Sequence, residues 1–571
     1  MTLAIDSSRR DMFGAAAACA MLSSGCGTAR RKLGWITYLL RMPPGTLDPA
    51  KSDGSEGWII KALFEPLLQQ HPVSQAPIAG LATHYKVDRD GTRYTFYLRG
   101  HGAPEGVKLP GTESLPPEFS RGRRSPPDHI PACWSDGVPV TATDVVFTWR
   151  RYLTPETGSL FTAYLDFVKG AKEVRSGKRP PEELAMRVLD GFSFEVELEA
   201  PAAHLLQLCY SVSTTPVPRH AIEAARRRGR EESWIEPAHI VTSGPFLLQE
   251  TRLRERTVVV RNPHYFEAGL TGIEGIEFVA ADGAVVLNLF RAGMADAMDG
   301  RALPLQLAPS LRNRGDFRVA PAAANHNWRI NSKRAPLDNV LLRYALNMAT
   351  DKDATARFLG TGQMPAKCRV PPLDGYRSPD RLLVDIDGVK CDVLAFDPRT
   401  ARQLWNKAAP PSGFPLPIYH PPLHDSSILA EILRSQWRSH LGIKATAVPF
   451  EAYGSVMQDG DFTGVAEDSW MGDYPDPTNF LDLYKSPYPN WSDEKYDVTL
   501  AAASTTADPV LRMERLAACE ANLLRGMPFI PLYFDAWVYL ESSRLHGMAL
   551  NRGGIPVFKY AWIDTNGSRL Q

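Results

Sequence analysis

The chain has 571 residues, more than one hydrophobic core supports, and the length suggests roughly three or four domains. Lys+Arg 64 against Asp+Glu 64 gives a net charge of +0, which argues against a nucleic-acid partner, because neutralising phosphates needs a basic surplus. The 44% hydrophobic and 22% charged composition is that of an ordinary globular protein, and 7 cysteines without zinc-finger spacing are too few for a disulfide scaffold.

The N-terminal Ser8-Arg9-Arg10-Asp11-Met12-Phe13 carries a twin arginine, and a weakly apolar run follows to Leu22. A charged start and a short apolar run read as an export signal, well short of the ~20 residues a spanning helix needs. Leu22-Ser23-Ser24-Gly25-Cys26 resembles a lipoprotein cleavage box with its Leu one position early, so Cys26 is the candidate for lipidation. A soluble secreted protein cut near this point is the alternative.

Val87 to Arg99 predicts a hairpin: Asp90-Gly91 supplies the positive-φ turn, and Tyr94, Phe96 and Leu98 alternate onto one face. Residues 101–133 are rich in Pro, Gly and Arg without periodicity and read as a surface loop. Its Arg121, Arg123 and Arg124 either meet an anionic surface or are simply solvated. Thr141 and Asp144 form a capping box opening a helix whose Val145, Val146, Trp149, Tyr152 and Leu153 share a face. Thr257 to Val260 predicts a buried strand, and Asp338 a helix cap ahead of a stripe of Val340, Leu341, Tyr344, Ala345 and Met348. Asp397-Pro398 starts another helix, with Pro at the first helical position. Leu433, Trp437 and Leu441 line a further helix that ends at Gly442, before a strand from Ile443 to Val448. A helix around Met513 to Leu524 and an apolar strand from Phe529 to Tyr539 close the chain. Cys368 and Cys391 flank a loop and are either a disulfide or two separate thiols.

The chemically suggestive stretch is Asp468-Ser469-Trp470-Met471-Gly472-Asp473-Tyr474-Pro475-Asp476-Pro477. A carboxylate among aromatics can hold a ligand ammonium by a charge-assisted hydrogen bond. The bland reading is a turn in which Asp473 and Asp476 cap backbone amides.

This stretch resembles the ligand loop of oligopeptide-binding proteins, the capture subunits of peptide ABC importers (bacterial extracellular solute-binding family five). Further landmarks follow in family order: Leu47-Asp48-Pro49, Leu63-Phe64-Glu65-Pro66-Leu67-Leu68, Trp134-Ser135-Asp136-Gly137, Ser243-Gly244-Pro245-Phe246, Arg261-Asn262-Pro263-His264-Tyr265-Phe266, Pro336-Leu337-Asp338-Asn339, and Pro528-Phe529-Ile530-Pro531-Leu532-Tyr533. The resemblance implies an α/β, two-lobed periplasmic-binding-protein fold (cluster C, type II-like) with an extra third domain. Mapped onto this chain, that gives 1–26 as export and lipoprotein signal. Lobe I is 27–68 plus 206–318 plus 532–571, the extra domain 69–205, and lobe III 319–531.

It also implies a ligand-binding set. Asp473 grips the peptide α-ammonium. Trp470, Met471 and Ser469 form a short strand on one side of the peptide backbone, with Asp53, Gly54 and Ser55 on the other. Such backbone pairing ignores ligand side chains. Tyr474 belongs to the Asp473 loop. Phe161 matches an aromatic that packs on the peptide, or is plain core. His424 matches a histidine near the peptide's far end, or is an ordinary surface histidine. Relatives that bind several peptide lengths carry an arginine near Glu467 to hold a C-terminal carboxylate, and here Glu467 and Asp468 stand instead. A family cysteine pair bridging the loop is replaced by Ala324 and Met471.

The expected protein is therefore a monomeric, extracytoplasmic binding component that delivers short peptides to ABC permease subunits, with no cofactor, metal or catalysis. It is expected in the periplasm or on the outer face of the cell membrane, lipid-anchored through Cys26. Two alternatives stay open: a receptor for a non-peptide solute such as a metal chelate or glycan, and a secreted hydrolase. No P-loop, G-x-S-x-G or H-E-x-x-H motif supports the last.

Overall fold

The computed structural model describes residues 32–564 apart from 55, 109–113, 124, 253–254, 282, 304–306, 412, 451–456 and 458. The export signal, Cys26, Ser55 and Arg124 lie outside the described residues.

Three large sheets organise the chain. The first has five strands, from Trp35–Leu40, Phe246–Arg252, Arg256–Arg261, Gly275–Ala280 and Ala297–Met298. Trp35–Leu40 sits inside it, parallel to both Gly275–Ala280 and Ala297–Met298. The second has four antiparallel strands, Ala82–Val87, Arg93–Leu98, Ser193–Glu197 and Met186–Asp190. The third has six, from Phe317–Ile330, Met364–Pro365, Leu416–His420, Ala445–Pro449, Val465–Met471 and Phe529–Leu540. Each sheet has its own apolar core, around Ile36, Phe246 and Phe278, around Phe96, Trp149 and Phe194, and around Trp328, Trp437 and Phe529. The fold is α/β, with two lobes and an extra third domain.

Local chemistry accounts for many elements. Thr141 and Asp144 form the reciprocal capping box that starts the Ala142–Leu153 helix, and Val145, Val146, Trp149, Tyr152 and Leu153 are all buried. Each such side chain contributes about 1.5–3 kcal/mol on leaving water. Gly91 takes φ +70° in the hairpin turn, a conformation without penalty only for glycine. Asp397 accepts hydrogen bonds from the Arg399 and Thr400 amides, both at 3.1 Å, and Pro398 begins the helix. Gly442 ends the His424–Leu441 helix at φ +75°, and the next strand runs Ala445–Pro449.

Several expectations are corrected. The cap before Val340 is Asn339, whose Oδ1 accepts from the Leu341 amide at 2.9 Å; Asp338 lies one residue too early. The described residues of 101–133 are mostly exposed and irregular, as expected of a surface loop, but Phe119 packs on Leu270 and Tyr560, and Arg121 donates to the Leu270 carbonyl at 2.9 Å. Arg123, which is exposed, likewise donates to the Gly269 carbonyl. Of the two readings left open for Cys368 and Cys391, the structure has the separate thiols.

The long strands Phe317–Ile330 and Phe529–Leu540 join two cores. Their paired ends Phe317 and Leu540 pack with Leu39 and Val286, while Trp328 and Phe529 sit in the six-stranded core. Midway the register shifts between Pro321 and Asn325, so three small residues, Ala322 to Ala324, bulge opposite Asp535. Pro321, which has no N–H to give a ladder, suits the edge of such a bulge.

Candidate functional site

The Val465–Met471 strand pairs antiparallel with Phe317–Ile330, setting Ala324 opposite Met471 and His326 opposite Ser469. The two positions that replace the expected cysteine pair are thus direct cross-strand partners. Gly472 follows, its amide donating to the Ala323 carbonyl at 2.7 Å. A Cβ there would lie 2.8 Å from Phe480 Cζ, so the close approach of loop to helix calls for glycine.

Asn479 organises the loop beyond. Its Oδ1 accepts from Trp470 Nε1 at 2.9 Å and from the Asp473 amide at 3.2 Å. Its Nδ2 lies 3.4 Å from Asp473 Oδ2. Asn479 was missed from the sequence; a short polar residue six positions after the carboxylate was the available signal.

The two carboxylates of the motif separate sharply. Asp476 is buried and held by Arg512 through two hydrogen bonds of 2.8 Å, and its Oδ1 also accepts from the Thr478 amide at 3.0 Å. Burial works against its charge, yet the Arg512 guanidinium and these bonds bring its pKa down to about 2. Asp476 is therefore the residue that caps. Asp473 is exposed and forms no ion pair among the described residues.

Asp473 faces the extra domain. Burial and the facing Asp473 carboxylate raise the pKa of Tyr164. Phe161 stacks on Tyr164 with centroids 5.6 Å apart and an interplanar angle of 9°. Phe161 is 50% exposed, which excludes plain core, and it takes φ +57°. An aromatic residue in the left-handed region is strained, and such strain concentrates at functional positions. Tyr474 stacks on His204 of the same domain at 5.1 Å. Burial drives the His204 pKa down to about 4, against a partial pull upward from Asp476.

The remaining expected residues fall in several places. Asp53 and Gly54 form an exposed bend, not a strand, with Gly54 at φ +94° and its amide on Ser52 Oγ at 3.0 Å. His424 opens the long helix His424–Leu441 and is exposed. Ser469 is exposed and Trp470 half-buried. Glu467 lies 3.1 Å from His326 Nε2 and accepts from Ser426 Oγ at 2.9 Å. Asp468 is shared by Arg329 at 3.4 Å and Arg369 at 3.3 Å. The two acids at the position of the expected arginine are thus engaged internally.

A cavity of about 550 Å³ lies beside this loop, where Arg41 and Arg301 of the five-stranded side meet Met471, Tyr533 and Trp537. Among the described residues no cluster of His, Cys, Asp and Glu suits a metal ion, and no helix is long and apolar enough to cross a membrane.

Two lobes with an intervening cavity and an extra domain define the class of binding proteins that enclose a solute between lobes. Residues 131–492 match the model of bacterial extracellular solute-binding proteins, family 5, and the chain belongs to this family. It is 28% identical over 506 residues to the periplasmic oligopeptide-binding protein OppA of Salmonella typhimurium, covering 86% of this chain and 85% of the relative. It is 26% identical over 521 residues to the probable deoxycholate-binding periplasmic protein YgiS of Escherichia coli, covering 89% of each. Among solved structures, the unliganded open form of the murein tripeptide-binding protein MppA superposes with a TM-score of 0.77 at 24% identity, over 93% of this chain and 97% of the other. Haemophilus influenzae OppA in complex with RPPGFSPFR gives 0.65 at 22% identity, over 93% and 99%.

Proposed function

We propose that this protein is the extracytoplasmic capture component of an ABC importer, binding short peptides between its lobes and passing them to permease subunits. We place lobe I at 27–68 plus 206–318 plus 532–571, the extra domain at 69–205 and lobe III at 319–531, with the paired strands Phe317–Ile330 and Phe529–Leu540 as the proposed crossing between lobes. The observation that carries the reading is Asp473: an exposed carboxylate without a cationic partner among the described residues, beside the Tyr164 hydroxyl, with Phe161 stacked on the Tyr164 ring. A carboxylate with aromatic faces beside it suits an ammonium, which gains a charged hydrogen bond and attraction to the ring. Ser469, Trp470 and Met471 supply strand edge to the peptide backbone. Asp53, Gly54, Ser55 and His424 are proposed second-lobe and far-end contacts, reached on ligand binding. The higher structural score against an open, unliganded form supports an open resting arrangement.

The test is titration calorimetry of wild type and Asp473→Asn with one peptide, free and N-acetylated. A charged hydrogen bond contributes roughly 1.5–3 kcal/mol, so either change alone weakens binding at least about tenfold. The two together cost less than their sum, because both remove one interaction. Equal affinity of wild type for free and acetylated peptide refutes the assignment.

A non-peptide solute is the second reading, favoured by the apolar Leu429, Met471 and Trp537 on the cavity wall and by the relative named for deoxycholate. Saturable binding of deoxycholate with no binding of any peptide would select it. For Cys26 we propose lipidation after export: Cys26→Ser should move the protein from the membrane fraction to the soluble one, and an unchanged membrane fraction rejects the anchor.

A further inference from the structure

The cavity between the lobes carries a charge that the ligand loop does not use. Asp535, in the strand Phe529–Leu540, lines it opposite the bulge of Ala322 to Ala324, whose small side chains leave the space open. Asp535 has no hydrogen bond or ion pair among the described residues. Its electrostatic neighbour is His326, and burial raises its pKa. His326 is already committed: it lies 3.1 Å from Glu467 and stacks on Tyr533 at 4.9 Å. One imidazolium set against Glu467 and Asp535 leaves at least one negative charge uncompensated.

The other charged groups do not remove it. Asp425 also lines the cavity and adds to the negative side. Across the cavity, Arg301 is held by Asp299 at 3.2 Å and lies 4.0 Å over the Trp58 ring. Arg41 is exposed, and the acid whose charge it offsets is Asp299. Asp535 is half-buried on the cavity wall, and a partly desolvated carboxylate that no protein donor serves weakens the fold, which a protein keeps where function needs it.

We infer that Asp535 is a recognition site for a basic ligand side chain, so that the preferred peptides carry a primary amine or guanidinium in addition to the α-ammonium. This rests on the peptide reading above. Met471 forms part of the cavity wall and lies two residues before Asp473. At about 3.3 Å per residue, a peptide anchored on Asp473 and running along this strand passes the cavity within its first few residues. The apolar Tyr533, Ile428 and Leu429 on the wall suit the methylene stem of a lysine, with the ammonium at its tip on Asp535.

The experiment is calorimetry with the peptides Ala-Xaa-Ala-Ala and Ala-Ala-Xaa-Ala, where Xaa is lysine, its neutral near-isostere norleucine, or glutamate. Wild type should bind the lysine peptide at least about tenfold tighter than the norleucine peptide at one of the two positions, and the glutamate peptide most weakly. Asp535→Asn should cut the lysine preference to about twofold or less while leaving norleucine affinity unchanged or improved. Its melting temperature should not fall, since a desolvated charge is removed. Ala322→Leu, which narrows the cavity without touching charge, should weaken lysine and norleucine peptides together. Equal binding of lysine and norleucine at both positions by wild type overturns this inference and leaves the peptide reading standing. A lysine preference that survives in Asp535→Asn overturns it too. Failure of every peptide to bind removes both.

Discussion

Replacing Asp476 with alanine should loosen the loop that carries Asp473 without touching the Asp473 carboxylate. Asp476 and Arg512 are 1% and 2% exposed in their side chains and meet through two bonds of 2.8 Å. A carboxyl brought from 3.8 to about 2 corresponds to roughly 2.5 kcal/mol of stabilisation in the charged state. Alanine removes more than this, because it strands the Arg512 guanidinium in the interior and strips the cap from the Thr478 amide. One broken buried pair costs about 3–5 kcal/mol. For a lobe of some two hundred residues that is a fall in melting temperature of roughly 6–20 °C. Asp473→Asn, at an exposed site, should stay within about 0.5 kcal/mol of wild type. The assay is thermal unfolding by circular dichroism at pH 7 on both variants and on Asp476→Leu/Arg512→Leu. The double apolar variant should recover much of the loss, since no charge is then left buried. The sign with pH is fixed: the folded-state value is depressed, so the stabilisation is complete above about pH 4 and is lost as pH falls towards 2. An Asp476→Ala protein that melts within 2 °C of wild type, or an Asp473→Asn protein that melts as low as Asp476→Ala, refutes this division of roles.

Other perturbations probe the same region. Ala324→Cys/Met471→Cys should form a disulfide on mild oxidation, because direct antiparallel partners have Cα atoms about 4.5–5.5 Å apart, within disulfide reach. Titration with a thiol reagent should show two fewer reactive thiols than in the reduced variant, and an undiminished count contradicts the register. His204 has a folded-state pKa near 4, below its unfolded value, so its contribution is complete above about pH 6.5 and is lost as pH falls towards 4. His204→Phe keeps the stack on Tyr474 and should flatten the melting temperature across that interval while leaving the drop below pH 4 that belongs to Asp476. A profile unchanged by the substitution rules out His204 as its source.

The parts of the fold legible in the sequence are those whose cause lies within a few residues. Thr141 and Asp144 cap each other three positions apart, Asp397 caps the two amides just ahead of it, and Gly442 stops a helix with its own backbone. Asp338 and Asn339 show where this runs out: both side chains can cap, and the local chain path, extended at Asn339, picks the second. The 101–133 segment was legible as surface loop, but nothing local says that the Gly269 and Leu270 carbonyls accept from Arg123 and Arg121. The site was legible only as a motif. That Tyr164 and His204 face the Asp473 loop is set by how the extra domain packs on it, and Asp535 gains meaning only from a bulge in a strand more than two hundred residues earlier.

Asp473 and Asp476 make the point physically. In the sequence they are the same residue type, three apart, in one Pro-containing turn, and either can be given either role. What separates them is Arg512, on a helix 36 residues further on. It reaches one carboxylate and not the other. The reached one becomes an internal strut whose charge is stabilised by the protein; the unreached one keeps its charge for solvent or for a ligand. The strut also fixes the second: Asp476 holds Thr478, the next residue, Asn479, binds Trp470 and the Asp473 amide, and the exposed carboxylate is thereby aimed at the aromatic pair of the extra domain. The carboxylate proposed to take a ligand ammonium is the one that no protein cation neutralises, and the loop that carries it is held by the one that a protein cation does.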